Sequence, residues 1–306
     1  MIKNLCSLRF VFIVPIVLSH LPCLSGNPYV LSASNAAVGF FFMLSGFVLA
    51  HAYGSSVEDG TFSLSRFMLR QLRKLYPLYL LCMLVFVVIN FKYIDTAEAG
   101  RILLACCMVQ SWIPDIDYYF AGNSVSWFLS TLFSIYLTFP LLQRFISRLT
   151  FRRLALFSLL LAAVYLGAAF FVPPGRANDI VYIHPLSRLA DFTLGLCLYR
   201  FYAETKQNRQ LRHPLRCAVA VVLAYACVVA LSVHADIRLQ AAALYWLPNA
   251  LAIGCFAAID TDRNALCRQL QRPVLMFLGR NTFAIFLTHC LIINILVRLA
   301  MRWGLA

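Results

Sequence analysis

The chain has 306 residues, of which 62% are hydrophobic and only 12% are charged. Soluble domains contain about 45–50% apolar and about 25% charged residues, so this composition excludes a soluble globule. Lys and Arg total 26 against 12 for Asp and Glu. In a membrane protein this excess is typical of cytoplasmic loops, and no basic stripe interleaved with aromatic residues indicates nucleic-acid binding. We therefore expect a polytopic membrane protein that lies in a lipid bilayer and has no nucleic-acid partner.

Ten apolar segments follow one another along the chain. Most are long enough to cross a hydrocarbon core of about 30 Å as a helix. No linker or change of composition divides them, which predicts an all-α, polytopic helical bundle that forms a single domain over residues 1–306. The segments cover residues 8–24, 36–53, 75–91, 102–112, 124–142, 154–172, 181–199, 217–233, 240–259 and 274–297.

The fourth segment, residues 102–112, is too short to span the membrane alone. If it does not cross and the N-terminus is cytoplasmic, most Lys and Arg residues fall in cytoplasmic loops, among them the loop at residues 200–216. If all ten segments cross, most of these residues fall outside, which opposes the positive-inside rule. We therefore predict a re-entrant or interfacial fourth segment.

The chain contains 11 cysteines. Most of them lie inside apolar segments, where cysteine behaves as a small hydrophobic residue. No CxxC pair and no Cys/His spacing typical of zinc sites is present, so the sequence predicts neither a metal site nor a disulfide framework.

The first segment carries two polar residues at membrane depth, Arg9 and His20. Their spacing is three helical turns plus about 20°, so both project from one face with a rise of about 16 Å between them. A neutral imidazole can accept a hydroxyl proton near pH 7, which makes His20 a candidate general base. The alternatives are a core histidine bonded to a backbone carbonyl and an Arg9 that extends toward the cytoplasmic surface.

A basic helical stripe precedes the third span. Arg66, Arg70 and Arg73 have the spacing i, i+4, i+7, and Lys74 follows. Guanidinium groups bind phosphate bidentately, so the stripe is a candidate cytoplasmic site for a nucleotide-bearing donor. The alternative is an ordinary positive-inside anchor.

Three further polar residues lie within predicted spans. Arg188 and Asp191 are one helical turn apart, and mutual neutralisation is the simple explanation for them. His289 lies in the middle of the last segment and is equally compatible with a core histidine.

Several motifs, in this order, resemble the acyltransferase 3 family of bacterial membrane proteins, which O-acylate cell-surface sugars. The resemblance covers nearly the whole chain. The motifs are Arg9 followed by His20, the string GFFFMLSGF at residues 39–47, Arg70 and Arg73 followed by Tyr76 and Pro77, Trp127 and Leu129 leading to Tyr136 and Pro140, Arg188 with Asp191 and Gly195, and Thr288 with His289.

The resemblance implies a membrane domain of about ten helices, an acyl-CoA donor used from the cytoplasm and a carbohydrate acceptor. It gives functional weight to Arg9, His20, Arg70 and Arg73. The chain departs from the family pattern at two positions, because Leu132 and Asp191 stand where many members have Glu. The first departure removes a polar partner and puts any mechanism that needs this Glu in doubt.

The combined hypothesis is a multi-pass enzyme of the bacterial inner membrane. It would move an acyl group, most simply acetyl, from acyl-CoA to a sugar hydroxyl of a lipid-linked or polymeric polysaccharide. His20 and Arg9 would be catalytic, and no cofactor would be permanently bound. Acyl-CoA, as donor substrate, would be held by Arg70, Arg73, Arg66 and Lys74, and supporting roles would fall to Trp127, Arg188, Asp191 and His289. The alternative is a secondary transporter with an intramembrane His, Arg and Asp pathway.

Overall fold

The computed structural model describes residues 2–205, 213–261 and 264–303. Within these ranges all regular secondary structure is helical, which confirms the all-α prediction. A π-helical segment, Ala177–Ile183, precedes the eighth α-helix. The α-helices are α1 (Lys3–Ser19), α2 (Pro28–Glu58), α3 (Leu64–Asn90), α4 (Thr96–Cys106), α5 (Ile116–Tyr119), α6 (Trp127–Ser147), α7 (Phe151–Phe171), α8 (Pro185–Thr205), α9 (Pro214–Ser232), α10 (Ile237–Gln240), α11 (Trp246–Ala258), α12 (Ala265–Leu270), α13 (Pro273–Arg280) and α14 (Thr282–Arg302).

Six stretches of the described chain are long and apolar enough to cross a membrane. They contain α2, α3, α6, α7, α9 and α14. Helix α1 has only 17 residues, α8 carries two arginines and two acidic residues, and the apolar helical stretch at Ala243–Ala258 is short. The expected total of about ten helices across the bilayer and the re-entrance of residues 102–112 therefore stay predictions. Residues 206–212 of the predicted cytoplasmic loop lie outside the described residues.

Several helix ends differ from those predicted by hydropathy, since hydropathy does not report backbone geometry. Helix α1 ends at Ser19 rather than at residue 24, because a series of turns that contains Pro22 follows it. The last apolar segment is not one helix: α13 ends at Arg280 and α14 begins at Thr282. The segment predicted at 240–259 is likewise divided between α10, a 3₁₀ turn and α11.

Two N-terminal caps fix where α2 and α3 begin. The Asn27 side chain accepts hydrogen bonds from the backbone N–H groups of Tyr29 and Val30, and Pro28 occupies the first position of α2. The Ser63 side chain accepts from the N–H of Arg66 at the start of α3. The connection from α1 lies at the N-terminal end of α2, and the connection to α3 lies at its C-terminal end.

Helix α2 is central and packs against α1, α6, α8, α9 and α11. Its contact with α8 depends on two glycines. A Cβ atom at Gly46 would overlap the backbone carbonyl of Phe192, and a Cβ atom at Gly195 would overlap that of Met43. The two backbones therefore approach each other closely, as small residues permit in membrane helices.

Candidate functional site

Two histidines from opposite ends of the sequence meet at the end of α1. His20 is the residue that closes α1, and its imidazole is exposed. His289 projects from α14 and is 5% exposed. The Nδ1 atom of His20 lies 3.4 Å from the Nε2 atom of His289, and the two rings meet edge to face with centroids 4.9 Å apart. Tertiary packing of α14 on α1 therefore brings together two residues that are 269 positions apart.

Backbone carbonyls determine which ring nitrogens carry protons. His20 Nδ1 lies 2.8 Å from the carbonyl oxygen of Ile16, and His289 Nδ1 lies 2.6 Å from that of Phe286. Because a carbonyl oxygen only accepts, the proton of each neutral ring is assigned to Nδ1. The Nε2 lone pair of His289 then accepts from His20, and the Nε2 atom of His20 keeps a free lone pair on an exposed ring. This arrangement is suited to a general base.

Arg9 also lies on α1, about 16 Å from His20 along the helix axis in the N-terminal direction. Its side chain is half-buried, and Tyr136 on α6 is one of its polar neighbours. Among the described residues no carboxylate forms an ion pair with Arg9. A cation without an acidic partner in the interior of a helical bundle is available to an anionic or carbonyl-bearing ligand.

The basic stripe lies on the first turns of α3. Arg66, Arg70, Arg73 and Lys74 are all exposed, and within the described ranges none of them takes part in a salt bridge. Nη1 of Arg70 donates to the Tyr53 hydroxyl on α2 at 3.4 Å. Four cationic side chains on one short helical segment are therefore free to bind an anion such as a phosphate group.

Two contacts with α2 give the distance between the histidines and the basic stripe. Ser19 donates to Ser34 at 3.0 Å, which places the histidines at the level of Ser34. Arg70 contacts Tyr53. Ser34 and Tyr53 are separated along α2 by a rise of about 28 Å. The hydrogen bond from Arg70 to Tyr53 therefore places the basic stripe toward the opposite end of α2 from the histidines.

Arg188 and Asp191 form a separate, fully buried group. Arg188 Nη1 lies 3.0 Å from Asp191 Oδ2, and neither side chain has exposed surface. The guanidinium also donates to the carbonyls of Tyr182 at 2.6 Å and Ala241 at 2.8 Å. Trp246 donates its indole N–H to Asp191. The predicted mutual neutralisation is confirmed, and the group ties α8 to α11 and to the segment before α8.

Trp127 supports this buried group from the side. It is 6% exposed and packs against the rings of Tyr182 and Phe42 at centroid distances of 5.3 and 6.4 Å. The Arg188 guanidinium stacks on the same two rings, 4.5 Å from the centroid of Tyr182 and 5.5 Å from that of Phe42. Trp127 and Arg188 therefore share two aromatic neighbours, Phe42 and Tyr182.

The structure unites some of the predicted site residues and separates others. His20 and His289 meet, and Trp127, Arg188 and Asp191 form a second group, while Arg70 and Arg73 lie at the far end of α2. Sequence reasoning missed Tyr53, Trp246 and Cys290, whose thiol lies 3.4 Å from His289 Nε2. An apolar residue pattern gives no signal for such contacts, since a buried cysteine reads as a small hydrophobic residue and the contacts join helices that are distant in sequence.

The family model and one relative with a named activity indicate the same class of enzyme. The acyltransferase domain family matches residues 2–306 of the chain. The chain is similar to acyltransferase MdmB of Streptomyces mycarofaciens, with 30% identity over 283 residues that cover 87% of this chain and 70% of that protein. It is also similar to protein 2 in the picA locus of Rhizobium radiobacter, with 48% identity over 52 residues, or 17% of this chain and 27% of that protein. No solved structure matches the chain.

Proposed function

The chain belongs to the acyltransferase 3 family and is an acyltransferase, and from this premise we propose that it is a membrane O-acyltransferase. The donor is cytoplasmic acyl-CoA, with acetyl-CoA as the simplest member of that class. The acceptor is a hydroxyl group of a cell-surface or exopolysaccharide sugar, and the enzyme lies in the bacterial inner membrane.

Donor binding is assigned to the basic stripe. Arg70 and Arg73, with Arg66 and Lys74 beside them, hold the phosphate groups of acyl-CoA on the cytoplasmic side. Their exposure and their lack of acidic partners within the described chain support this role. The rise of about 28 Å from the level of the stripe to that of the histidines exceeds the length of the pantetheine arm. The phosphate groups therefore lie on the inner side of the stripe toward Arg9, and the arm covers the remaining rise of about 16 Å from Arg9 to His20.

His20 performs the chemical step as a general base. Its free Nε2 lone pair takes the proton of the acceptor hydroxyl, and the hydroxyl oxygen attacks the thioester carbonyl. The C–S bond breaks as the new C–O ester bond forms, and the CoA thiolate leaves with the proton returned by the imidazolium. Arg9 assists by positioning the donor arm between the phosphates and the thioester.

The observation that carries the proposal is the orientation of His20. Its Nδ1–H is held by the Ile16 carbonyl and by His289, so the basic nitrogen has a fixed direction and an exposed face. General bases are oriented in this way by the partner of their second nitrogen.

The test is transfer of labelled acetyl from acetyl-CoA by the purified full-length chain in detergent, with surface glycan as acceptor. We expect His20→Ala to lower the rate by about 10²–10⁴-fold, the usual contribution of a general base. The exposed His234 provides the matched control, and His234→Ala should keep the parental rate. Full transfer by His20→Ala at equal expression would remove the base assignment.

The transporter alternative receives less support from the arrangement of polar groups. An intramembrane relay would link Asp191 to the histidines, but within the described residues the hydrogen bonds of Asp191 go to Arg188 and Trp246. Release of CoA that depends on a glycan acceptor separates the two hypotheses, because a transporter would release none.

A further inference from the structure

Cys290 completes a cluster of three metal-ligating side chains that the proposed acyl transfer does not use as a unit. His20, His289 and Cys290 each present one ligand atom, and all three atoms lie within 4.8 Å of one another. His289 and Cys290 are buried, while His20 is exposed. Two of the three ligands are therefore enclosed by the protein, and the third is accessible.

The distances within the cluster suit a tetrahedral zinc ion. Zinc binds histidine nitrogen at about 2.0–2.1 Å and cysteine sulfur at about 2.3 Å, so tetrahedral ligands stand about 3.4 Å apart for two nitrogens and about 3.6 Å apart for nitrogen and sulfur. The two nitrogens of His20 and His289 are 3.4 Å apart, and the His289 nitrogen lies 3.4 Å from the Cys290 sulfur. Two of the three ligand–ligand distances therefore already match those of a tetrahedral zinc site.

The surrounding hydrogen bonds also resemble those that support zinc ligands. The Nδ1–H of His289 donates to the Phe286 carbonyl, which directs the Nε2 lone pair at the cluster. Metal-bound histidines usually donate their second N–H in this way, and such partners fix the ring and strengthen the ligand.

We propose that His20, His289 and Cys290 form a binding site for Zn²⁺, with three protein ligands and a fourth position open to solvent beside His20. Open sites of this kind bind water as the fourth ligand. Metal binding replaces the hydrogen bond that His20 Nδ1 donates to the Ile16 carbonyl. The Nδ1 proton moves to Nε2, which gives the other tautomer of the neutral ring, and the Cys290 thiol releases one proton to solvent. Zinc affinity therefore increases with pH.

Occupation of this site would inhibit acyl transfer, and this part of the inference rests on the proposed function. Zinc bound to Nδ1 leaves His20 with a proton on Nε2 and no free lone pair. The imidazole then cannot accept the proton of the acceptor hydroxyl, so the metal acts as a reversible inhibitor.

Metal binding can be measured without any acyl transfer. Co²⁺, a spectroscopic substitute for Zn²⁺, is titrated into the full-length chain in detergent, and thiolate-to-cobalt charge-transfer absorption is recorded. We expect one ion per chain, displaced by added Zn²⁺. Cys290→Ser should abolish the charge-transfer band and weaken binding at least tenfold.

Two cysteine variants serve as controls. Cys23 is exposed three residues after His20, and Cys82 is buried in α3. Cys23→Ser and Cys82→Ser should keep the parental band and affinity. A charge-transfer band of parental intensity in Cys290→Ser, or the absence of any band in the parental chain, would contradict the proposed metal site.

A transfer assay separates this inference from the proposed function. We expect Zn²⁺ to inhibit the parental enzyme, a chelator to restore the rate, and Cys290→Ser to need at least tenfold more Zn²⁺, each rate being normalised to its own metal-free value. Cobalt binding at Cys290 with unaffected transfer would retain the metal site and reject inhibition through His20. A transfer reaction that requires His20 but has no cobalt signal would reject the metal site alone.

Discussion

Arg188 and Asp191 form an ion pair whose two side chains have no exposed surface, and each nitrogen of the Arg188 guanidinium donates a hydrogen bond. One Nη group contacts the carboxylate, while Nε and the other Nη donate to the Tyr182 and Ala241 carbonyls. The carboxylate accepts the second bond from Trp246. The pair therefore joins three separate stretches of chain in the interior of the protein.

Removal of one partner of this pair should be strongly destabilising. Asp191→Ala leaves a buried cation without its counter-charge, which typically costs about 3–5 kcal/mol. We expect a large decrease in the thermal unfolding temperature in detergent, and the double variant Arg188→Met/Asp191→Leu should lose less than the sum of the single variants. Glu204→Gln in the partly exposed pair with Arg200 is the control and should cost less than about 1 kcal/mol. Equal effects of Asp191→Ala and Glu204→Gln would contradict this account.

Charge reversal of the basic stripe should impair use of the donor. Each charge-assisted hydrogen bond to phosphate contributes about 1.5–3 kcal/mol, so Arg70→Glu/Arg73→Glu should raise the KM for acyl-CoA at least tenfold. The KM for the glycan acceptor should stay within about twofold, because the stripe is separated from His20 by a rise of about 28 Å along α2.

The exposed pair Arg152 and Arg153 at the start of α7 offers a matched control, since its reversal changes the net charge equally. Steady-state kinetics in reconstituted vesicles measure both constants. A KM for acyl-CoA that the Arg70/Arg73 double variant leaves unchanged would remove these two residues from the donor site.

His289 should act on the reaction through His20. His289→Ala removes the acceptor that helps to hold the His20 Nδ1–H, and the loss of one such hydrogen bond corresponds to about a tenfold decrease in kcat. The KM for acyl-CoA should change little. His289→Gln retains an acceptor on a side chain of similar reach and should restore part of the rate.

The kcat values and thermal stabilities of the two variants together distinguish a positioning role of His289 from a folding defect. A structural defect lowers the amount of folded enzyme and affects kcat for Ala and Gln variants alike, with a matching loss of thermal stability. If His289→Gln had the activity of His289→Ala at equal stability, the positioning role would be rejected.

Close packing of α2 on α8 should not tolerate a side chain at residue 46. A methyl group at Gly46 would overlap the Phe192 backbone carbonyl, and backbone atoms cannot move aside as a flexible side chain can. Overpacking of this kind typically costs about 1–3 kcal/mol or more. We expect Gly46→Ala to lower the yield of folded protein and its unfolding temperature.

Gly167 in α7 is the matched control for this substitution. No atom lies within 4 Å of the position that a Cβ would take, so Gly167→Ala should be neutral or slightly stabilising. Size-exclusion chromatography and thermal unfolding in detergent compare the two variants. Equal stability of the two would mean that the α2 and α8 backbones do not approach as closely as described.

Composition and residue periodicity were sufficient to predict an all-α fold. Long apolar runs dictate helices in a bilayer, because backbone groups there must be satisfied within the segment. The pairing of Arg188 with Asp191 was also predictable, since residues three apart share a helix face. These are local relationships, and local relationships can be obtained from a linear sequence.

The meeting of His20 with the neighbouring residues His289 and Cys290 was decided by tertiary structure alone. Their positions depend on where α1 ends, on the break at Asn281 between α13 and α14, and on the contact of Gly279 with the backbone of Cys6, which sets how α13 lies against α1. None of these features has a hydropathy signal. Sequence determines which side chains each helix carries, whereas close packing between helices determines which of these side chains share a site, because the packing depends on backbone breaks and glycine contacts between distant parts of the chain.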